Sequence, residues 1–224
     1  TSEENYGNGI MVDFAIKGAR IFDGETEHRH SAILIENGEI FSIVDEDKAP
    51  NDCEIISLDG GILVPGFIDL QVNGGGGVLF NDQRNVEALK TICEAHIKFG
   101  TTALLPTLIT DKPDVTSQAI QAGIMAVSNQ IPGMLGIHLE GPHLSVPKRG
   151  AHEETLVRKM TSNDLYELIT AKQSLPVMLT TVATESVSND QISALNEAGI
   201  IVSLGHSNAS YNEARSAAAA GATC

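Results

Sequence analysis

Up to about residue 64, apolar and polar positions alternate with a period of two. The stretch "VDFAIKGARIF" is followed by "SAILIENGEIFSIV", in which Asn37-Gly38 separates two alternating runs. Alternation sends successive side chains to opposite faces of a strand. Asn-Gly supplies the positive φ angles that a two-residue hairpin turn needs. A short strand in "GILVPG" leads out of the region. These strands are too few for an independent core, and they are expected to pair with strands from elsewhere in the full protein.

From residue 67 strand-like and helix-like segments alternate. Strands are expected at 67–71, 102–106, 134–140, 177–182 and 200–205, with helices at 85–98, 113–128, 162–173, 189–198 and 211–220. Ser188 with Gln191 and Ser210 with Glu213 read as capping boxes. Gly100, Gly199 and Gly221 stand where helices end in a left-handed residue. Repeated strand–helix units imply parallel strands, and both a (β/α)8 barrel and a doubly wound sheet fit. Five strands are visible and residues 222–224 read as the start of a sixth. The pattern stops part-way, so a piece of a longer polypeptide is expected.

Composition narrows the class. The 224 residues are 42% hydrophobic and 19% charged, as in an ordinary globular protein. Aromatics are 4% with no Trp, so the core must be built from Ile, Leu, Val and Ala. A net charge of −15 argues against a general nucleic-acid or anionic-membrane binder. An anionic small molecule stays open, because a local pocket can be basic; Lys148-Arg149 is a candidate, against the plainer reading of a solvated loop. Cys53, Cys93 and Cys224 show neither metal nor disulfide spacing, which favours a reducing, cytoplasmic compartment. No apolar stretch is long enough to span a membrane. Residues 1–11 read as a leader or tail and not as a signal peptide. Without a secretory signal, the glycosylation pattern at Asn208–Ser210 reads as coincidence.

Parallel α/β folds place chemistry at the C-terminal ends of strands, and three polar groups fall there. In "PGFIDLQVNGGGGVLFND", Asp69, Gln71 and Asn73 share one side of an alternating run. The glycines after them lack the dinucleotide and P-loop fingerprints, so close backbone packing is favoured over phosphate binding. In "GIHLEGPH", His138 and Glu140 point inward if Ile137 and Leu139 face the helices. An inward carboxylate is costly unless paired or metal-bound; a structurally satisfied Glu and a ligand are both open. In "IIVSLGHSNAS", His206 ends its strand at an equivalent level. A Glu and a His from separate strand ends, with room for another His and a water, suit a catalytic divalent metal such as Zn²⁺.

Together "PGFIDLQVNGGGG", "HLEGPHL…KRGAH" and "GHSNAS" resemble the N-acetylglucosamine-6-phosphate deacetylase family of the amidohydrolase superfamily, from about residue 12 onward. The resemblance implies a metal-dependent (β/α)8 barrel, here incomplete over 65–224, with 12–64 forming the N-terminal part of a small β-sandwich. It implies hydrolysis of N-acetylglucosamine 6-phosphate to glucosamine 6-phosphate and acetate. Glu140 and His206 correspond to metal ligands, and His152, with the Ala151 backbone, to a substrate-binding element. Gln71 sits near the metal where many amidohydrolases carry the second His of a His-x-His pair, and His138 lies behind the ligands. Amides are poor replacements for imidazoles, so one divalent ion per subunit is expected: zinc first, with iron, cobalt or manganese as alternatives. A third ligand and the catalytic Asp are expected beyond residue 224, so this stretch alone should not be competent. The implied partners are a sugar phosphate and further copies of the chain in a homodimer or larger assembly, with no nucleic acid and no membrane.

Two rivals remain: another amidohydrolase of dihydroorotase or deaminase type, and a non-catalytic sugar-phosphate binder. The missing His-x-His counts against the first. Plain readings cover the rest. His28 and His30 are a solvated loop, His96 is surface or interhelical packing, Ala217–Ala220 pack a helix on the barrel, and His143 has no assigned role.

Overall fold

The computed structural model describes residues 12–224, so the expected leader or tail at 1–11 lies outside the described residues. The chain divides into two compact units, one ending at Pro65 and one spanning Gly66–Cys224.

Among the described residues the first unit holds seven short strands: β1 (Phe14–Lys17), β2 (Arg20–Phe22), β3 (Glu27–His28), β4 (Ser31–Glu36), β5 (Glu39–Asp45), β6 (Glu54–Ser57) and β7 (Ile62–Leu63). They form one sheet in the order β5-β4-β1-β6 and another in the order β3-β2-β7. Asn37 and Gly38 turn the β4–β5 hairpin with φ of 51° and 77°, pairing Glu36 with Glu39. The alternating run before it breaks at Gly18, whose φ is +89° and where a Cβ would lie 2.2 Å from the Leu58 carbonyl oxygen. Its two halves therefore join different sheets. Ile21, Ile33 and Ile35 form a small buried cluster with Phe14, Ile43 and Leu63. His28 departs from the solvated-loop expectation: it lies in β3 with Nε2 2.8 Å from the Asp23 carboxylate. His30 is exposed.

The second unit alternates strands and helices: β8 (Phe67–Val72), a two-residue hairpin of β9 (Gly74–Gly75) and β10 (Val78–Leu79), α1 (Val86–Ile97), β11 (Thr101–Ile109), α2 (Pro113–Ser128), β12 (Gly136–Glu140), α3 (Ser162–Lys172), β13 (Val177–Val182), α4 (Asn189–Glu197), β14 (Ile201–Leu204) and α5 (Tyr211–Ala219). The five long strands are parallel in the order β8-β11-β12-β13-β14. Each strand lies beside its predecessor. The order never reverses, so there is no switch point of the doubly wound kind; the sheet is a parallel-strand half-barrel. Ala222 bridges Val202 in parallel, continuing the progression.

Local chemistry sets these boundaries. Thr161, Ser188 and Ser210 start α3, α4 and α5 with reciprocal capping boxes. Gly100, Gly199 and Gly221 follow helices at φ of 90°, 79° and 117°. Ile137, Leu139, Met178 and Val202 on the strands meet Leu89, Ile92, Ile120 and Leu195 on the helices in one buried core. Two plain readings change. His96 does not pack between helices; its Nε2–H donates to the Gly74 carbonyl at 3.0 Å and ties α1 to the glycine-rich hairpin. A Cβ on Gly75 would come within 2.9 Å of that ring, which is why the hairpin needs glycine. The alanine run packs on the barrel through Ala217 and Ala220 alone, while Ala218 and Ala219 are exposed. Among the described residues no helix is long and apolar enough to cross a membrane.

Candidate metal centre

β12 ends on Glu140, and its register beside β11 and β13 decides what surrounds that side chain. Glu140 pairs with Ile109 on one side and Thr181 on the other. Glu140 is 6% exposed, at the C-terminal edge of the sheet. Three side chains from three other segments converge on it. The Gln71 amide, from β8, donates to Oε2 at 3.1 Å. His206, just past β14, brings Nε2 to 2.9 Å from Oε1. His152, from the loop after β12, brings Nε2 to 3.8 Å from the same oxygen. Ligand atoms of Glu140, His152 and His206 all lie within 4.8 Å of one another, a group that could hold a metal ion.

The other ring nitrogens separate the two histidines. His206 Nδ1 faces the Lys148 carbonyl at 3.0 Å, and a carbonyl only accepts. Nδ1 therefore carries a proton, and in the neutral ring Nε2 presents a lone pair to a carboxylate oxygen 2.9 Å away. Two acceptors in that contact require a cation between them, either a proton on the ring or a metal ion. His152 is wired the opposite way. The Thr110 N–H donates to its Nδ1 at 3.3 Å, with the Thr110 hydroxyl at 2.7 Å. In the neutral ring Nδ1 is the acceptor and Nε2 carries the proton. The rings cross at 69° with centroids 4.6 Å apart. The imidazole of His152, and then that of His206, hold the Glu140 carboxyl down at about 2 although burial opposes ionisation. It is a carboxylate at neutral pH. A buried carboxylate and an outward-facing imidazole lone pair are a suitable donor set for a divalent ion.

The remaining site candidates fall into place around this group. His138 is 2% exposed, with Nδ1 3.2 Å from Thr107 Oγ1 and Nε2 2.8 Å from Thr181 Oγ1. Burial lowers it to about 4, so it is neutral and bonds its flanking threonines, not Glu140. Asp69 accepts its own segment's Gln71 N–H, and the Asn73 carbonyl accepts the Phe80 N–H. Ala151 is exposed beside buried His152. His143 is buried, donating from Nδ1 to the Arg158 carbonyl at 3.2 Å. Lys148 is exposed, and Arg149 pairs with Glu154 at 3.0 Å. Sequence reasoning missed Thr110, Thr107 and Thr181. Thr107 and Thr181 leave a trace as polar residues inside apolar strands, whereas Thr110, just past the end of β11, leaves none.

A family model described as the amidohydrolase family matches residues 62–224. The chain belongs to the amidohydrolase family. Members of this family are metal-dependent, and Glu140, His152 and His206 form the group that could meet that need here. This amidohydrolase is 43% identical over 208 residues to an N-acetylgalactosamine-6-phosphate deacetylase from Shewanella sp. (strain ANA-3), covering 92% of this chain and 52% of that one. It is 37% identical over 196 residues to an N-acetylglucosamine-6-phosphate deacetylase from Haemophilus influenzae, covering 87% and 51%. The chain thus spans about half the length of the curated relatives it matches. Its structure superposes on a crystal structure of N-acetylglucosamine-6-phosphate deacetylase from Pasteurella multocida with a TM-score of 0.87 at 35% identity, covering 94% of this chain and 55% of that one. A Mycobacterium smegmatis deacetylase, solved as an aspartate-to-alanine mutant in complex with N-acetyl-D-glucosamine-6-phosphate, gives a TM-score of 0.82 at 27% identity over 94% of this chain and 54% of that one.

Proposed function

We propose that this chain carries the metal-binding part of an enzyme that removes the acetyl group from N-acetylglucosamine 6-phosphate, giving glucosamine 6-phosphate and acetate. The observation that carries the reading is the Glu140–His206 contact, two acceptors 2.9 Å apart that need a cation between them. The names of the relatives supply the substrate. The same reading includes zinc as the ion, 65–224 as the first part of a (β/α)8 barrel, and 12–64 as part of a β-sandwich. It also includes a cytoplasmic home-site and assembly into a homodimer or larger.

Glu140 and His206 would hold the ion, with Gln71 fixing the second carboxylate oxygen. When bound, a divalent ion polarises the acetamide carbonyl and makes water acidic enough to attack it. His152, locked by Thr110 with Nε2–H toward the site, donates to the carbonyl oxygen as charge develops there. The C–N bond breaks as the water oxygen joins the acetyl carbon and both water protons end on nitrogen, giving acetate and the protonated amine. Donation from His152 separates its role from that of a ligand. His152→Ala in the full-length protein is expected to keep parent metal content while kcat falls by roughly a hundredfold to a thousandfold. Metal analysis beside steady-state kinetics tests this, and loss of the ion would make His152 a ligand instead.

The relative that is 43% identical is named for the galactosamine substrate, which favours a second reading with the epimeric sugar. Acetate release by the full-length protein should be measured on both sugar phosphates, with and without chelator. Chelator-sensitive release, faster on the gluco epimer, is expected. Faster release on the galacto epimer selects the second reading, and release from neither overturns both.

A further inference from the structure

Loops leave the C-terminal ends of β12, β13 and β14, and the two outer ones adjoin the residues of the metal centre. The middle loop contributes none of those residues, yet it is bonded to both neighbours. Ser186 Oγ donates to the Leu144 carbonyl at 2.7 Å, and the Ala183 N–H donates to the His143 carbonyl at 2.8 Å. Those bonds fasten it to the segment just after Glu140. Glu185, one residue earlier, reaches the other way. Its Oε2 accepts the Ser207 hydroxyl at 2.7 Å and its Oε1 accepts the Asn208 N–H at 2.6 Å. Ser207 and Asn208 directly follow His206.

His206 needs such a brace. Its φ is +50°, a left-handed conformation that a side chain with a Cβ adopts only when its surroundings impose it. On the chain before it, the Gly205 N–H donates to the Val182 carbonyl at 3.1 Å. The His206 carbonyl accepts the Ser145 N–H at 3.0 Å. On the chain after it, the Glu185 carboxylate takes both donors. Among the described residues no lysine, arginine or histidine forms an ion pair with Glu185, so it serves as an acceptor for this turn. Desolvation opposes its ionisation, but the Ser207 hydroxyl and the Asn208 N–H outweigh that and bring it to about 2, so both oxygens are acceptors at neutral pH.

We propose that Glu185 is a positioning residue for the metal centre: it holds residues 206–208 in the turn that aims His206 Nε2 at Glu140, and so sets metal affinity without touching ion or substrate. This rests on the reading of Glu140 and His206 as ligands.

The test uses the metal-stripped full-length protein, titrated with zinc against a chromophoric chelator. Glu185→Ala is expected to weaken zinc binding by about tenfold to a hundredfold, the usual effect of removing a group that orients a ligand. Glu185→Gln keeps an acceptor for Asn208 and a partner for Ser207, and it is expected to stay within about threefold of the parent. Ser207→Ala removes one of the two bonds and should fall between them, which keeps the proposal testable if Glu185→Ala does not fold. The metal-free melting temperature of Glu185→Gln should match the parent, and its cobalt-substituted spectrum should match the parent's while that of Ser207→Ala shifts. Parent-like zinc affinity in both Glu185→Ala and Ser207→Ala overturns the proposal. So does an equal loss in Glu185→Gln, which would trace to charge and not to these bonds. A parent protein that takes up no zinc overturns the ligand reading itself, and this proposal with it.

Discussion

Glu140→Gln in the full-length protein is expected to lose most of its metal and about a thousandfold of its hydrolytic rate, several kcal/mol of transition-state stabilisation. The same change should not unfold the metal-free protein. One oxygen of Glu140 accepts the Gln71 amide and the other faces the lone pair of His206 Nε2. A glutamine in the same place keeps the acceptor for Gln71 and turns an N–H toward His206, while the Nε2–H of His152, 3.8 Å from that oxygen in the parent, loses its acceptor. The contact that demanded a cation becomes an ordinary hydrogen bond, worth up to about 1 kcal/mol. Metal analysis and kinetics should therefore separate from thermal melting of the stripped proteins: less metal, less activity, and a melting temperature close to that of the metal-free parent. Parent-like metal content in this variant would remove Glu140 from the ligand set.

Gly136→Ala is expected to carry the largest stability cost in the sheet. A Cβ at Gly136 would sit 1.8 Å from the Val177 carbonyl oxygen and 2.7 Å from its carbonyl carbon. Both atoms are backbone, and Gly136 pairs with Val177 where β12 meets β13. The clash can be relieved only by parting two central strands. The expected loss is about 3 kcal/mol or more in chemical denaturation. Because β12 carries Glu140 four residues later, the surviving folded fraction should also bind metal more weakly. A loss below about 1 kcal/mol would mean that the two strands do not approach this closely.

Much of the barrel unit was legible because its signals are local. α2 runs from Pro113 to Ser128 as expected, and α4 and α5 start at the anticipated serine caps. The Thr161 box was missed because Asp164, not Glu or Gln, closes it. β11 runs to Ile109, beyond the expected end, because Thr107 is held in register opposite His138. The break at Gly18 was hidden for a different reason: the atom that demands glycine belongs to Leu58, forty residues away in sequence. The site divides in the same manner. Glu140 and His206 could be picked out by strand alternation and strand ends. Thr110 and Glu185 have no sequence signature, because their roles exist only once neighbouring strands have set which loops face each other.

The strand order has one further consequence. Among the described residues β8 stands at an end of the sheet, paired on one side only, by β11. Phe67, Ile68 and Leu70 on it are 70%, 62% and 42% exposed. A long strand with a free backbone edge and large apolar side chains is a template for unwanted pairing. Prepared by itself, this stretch of chain is thus prone to stick to copies of itself through β8, and a charged residue at Ile68 is the natural place to make it easier to handle.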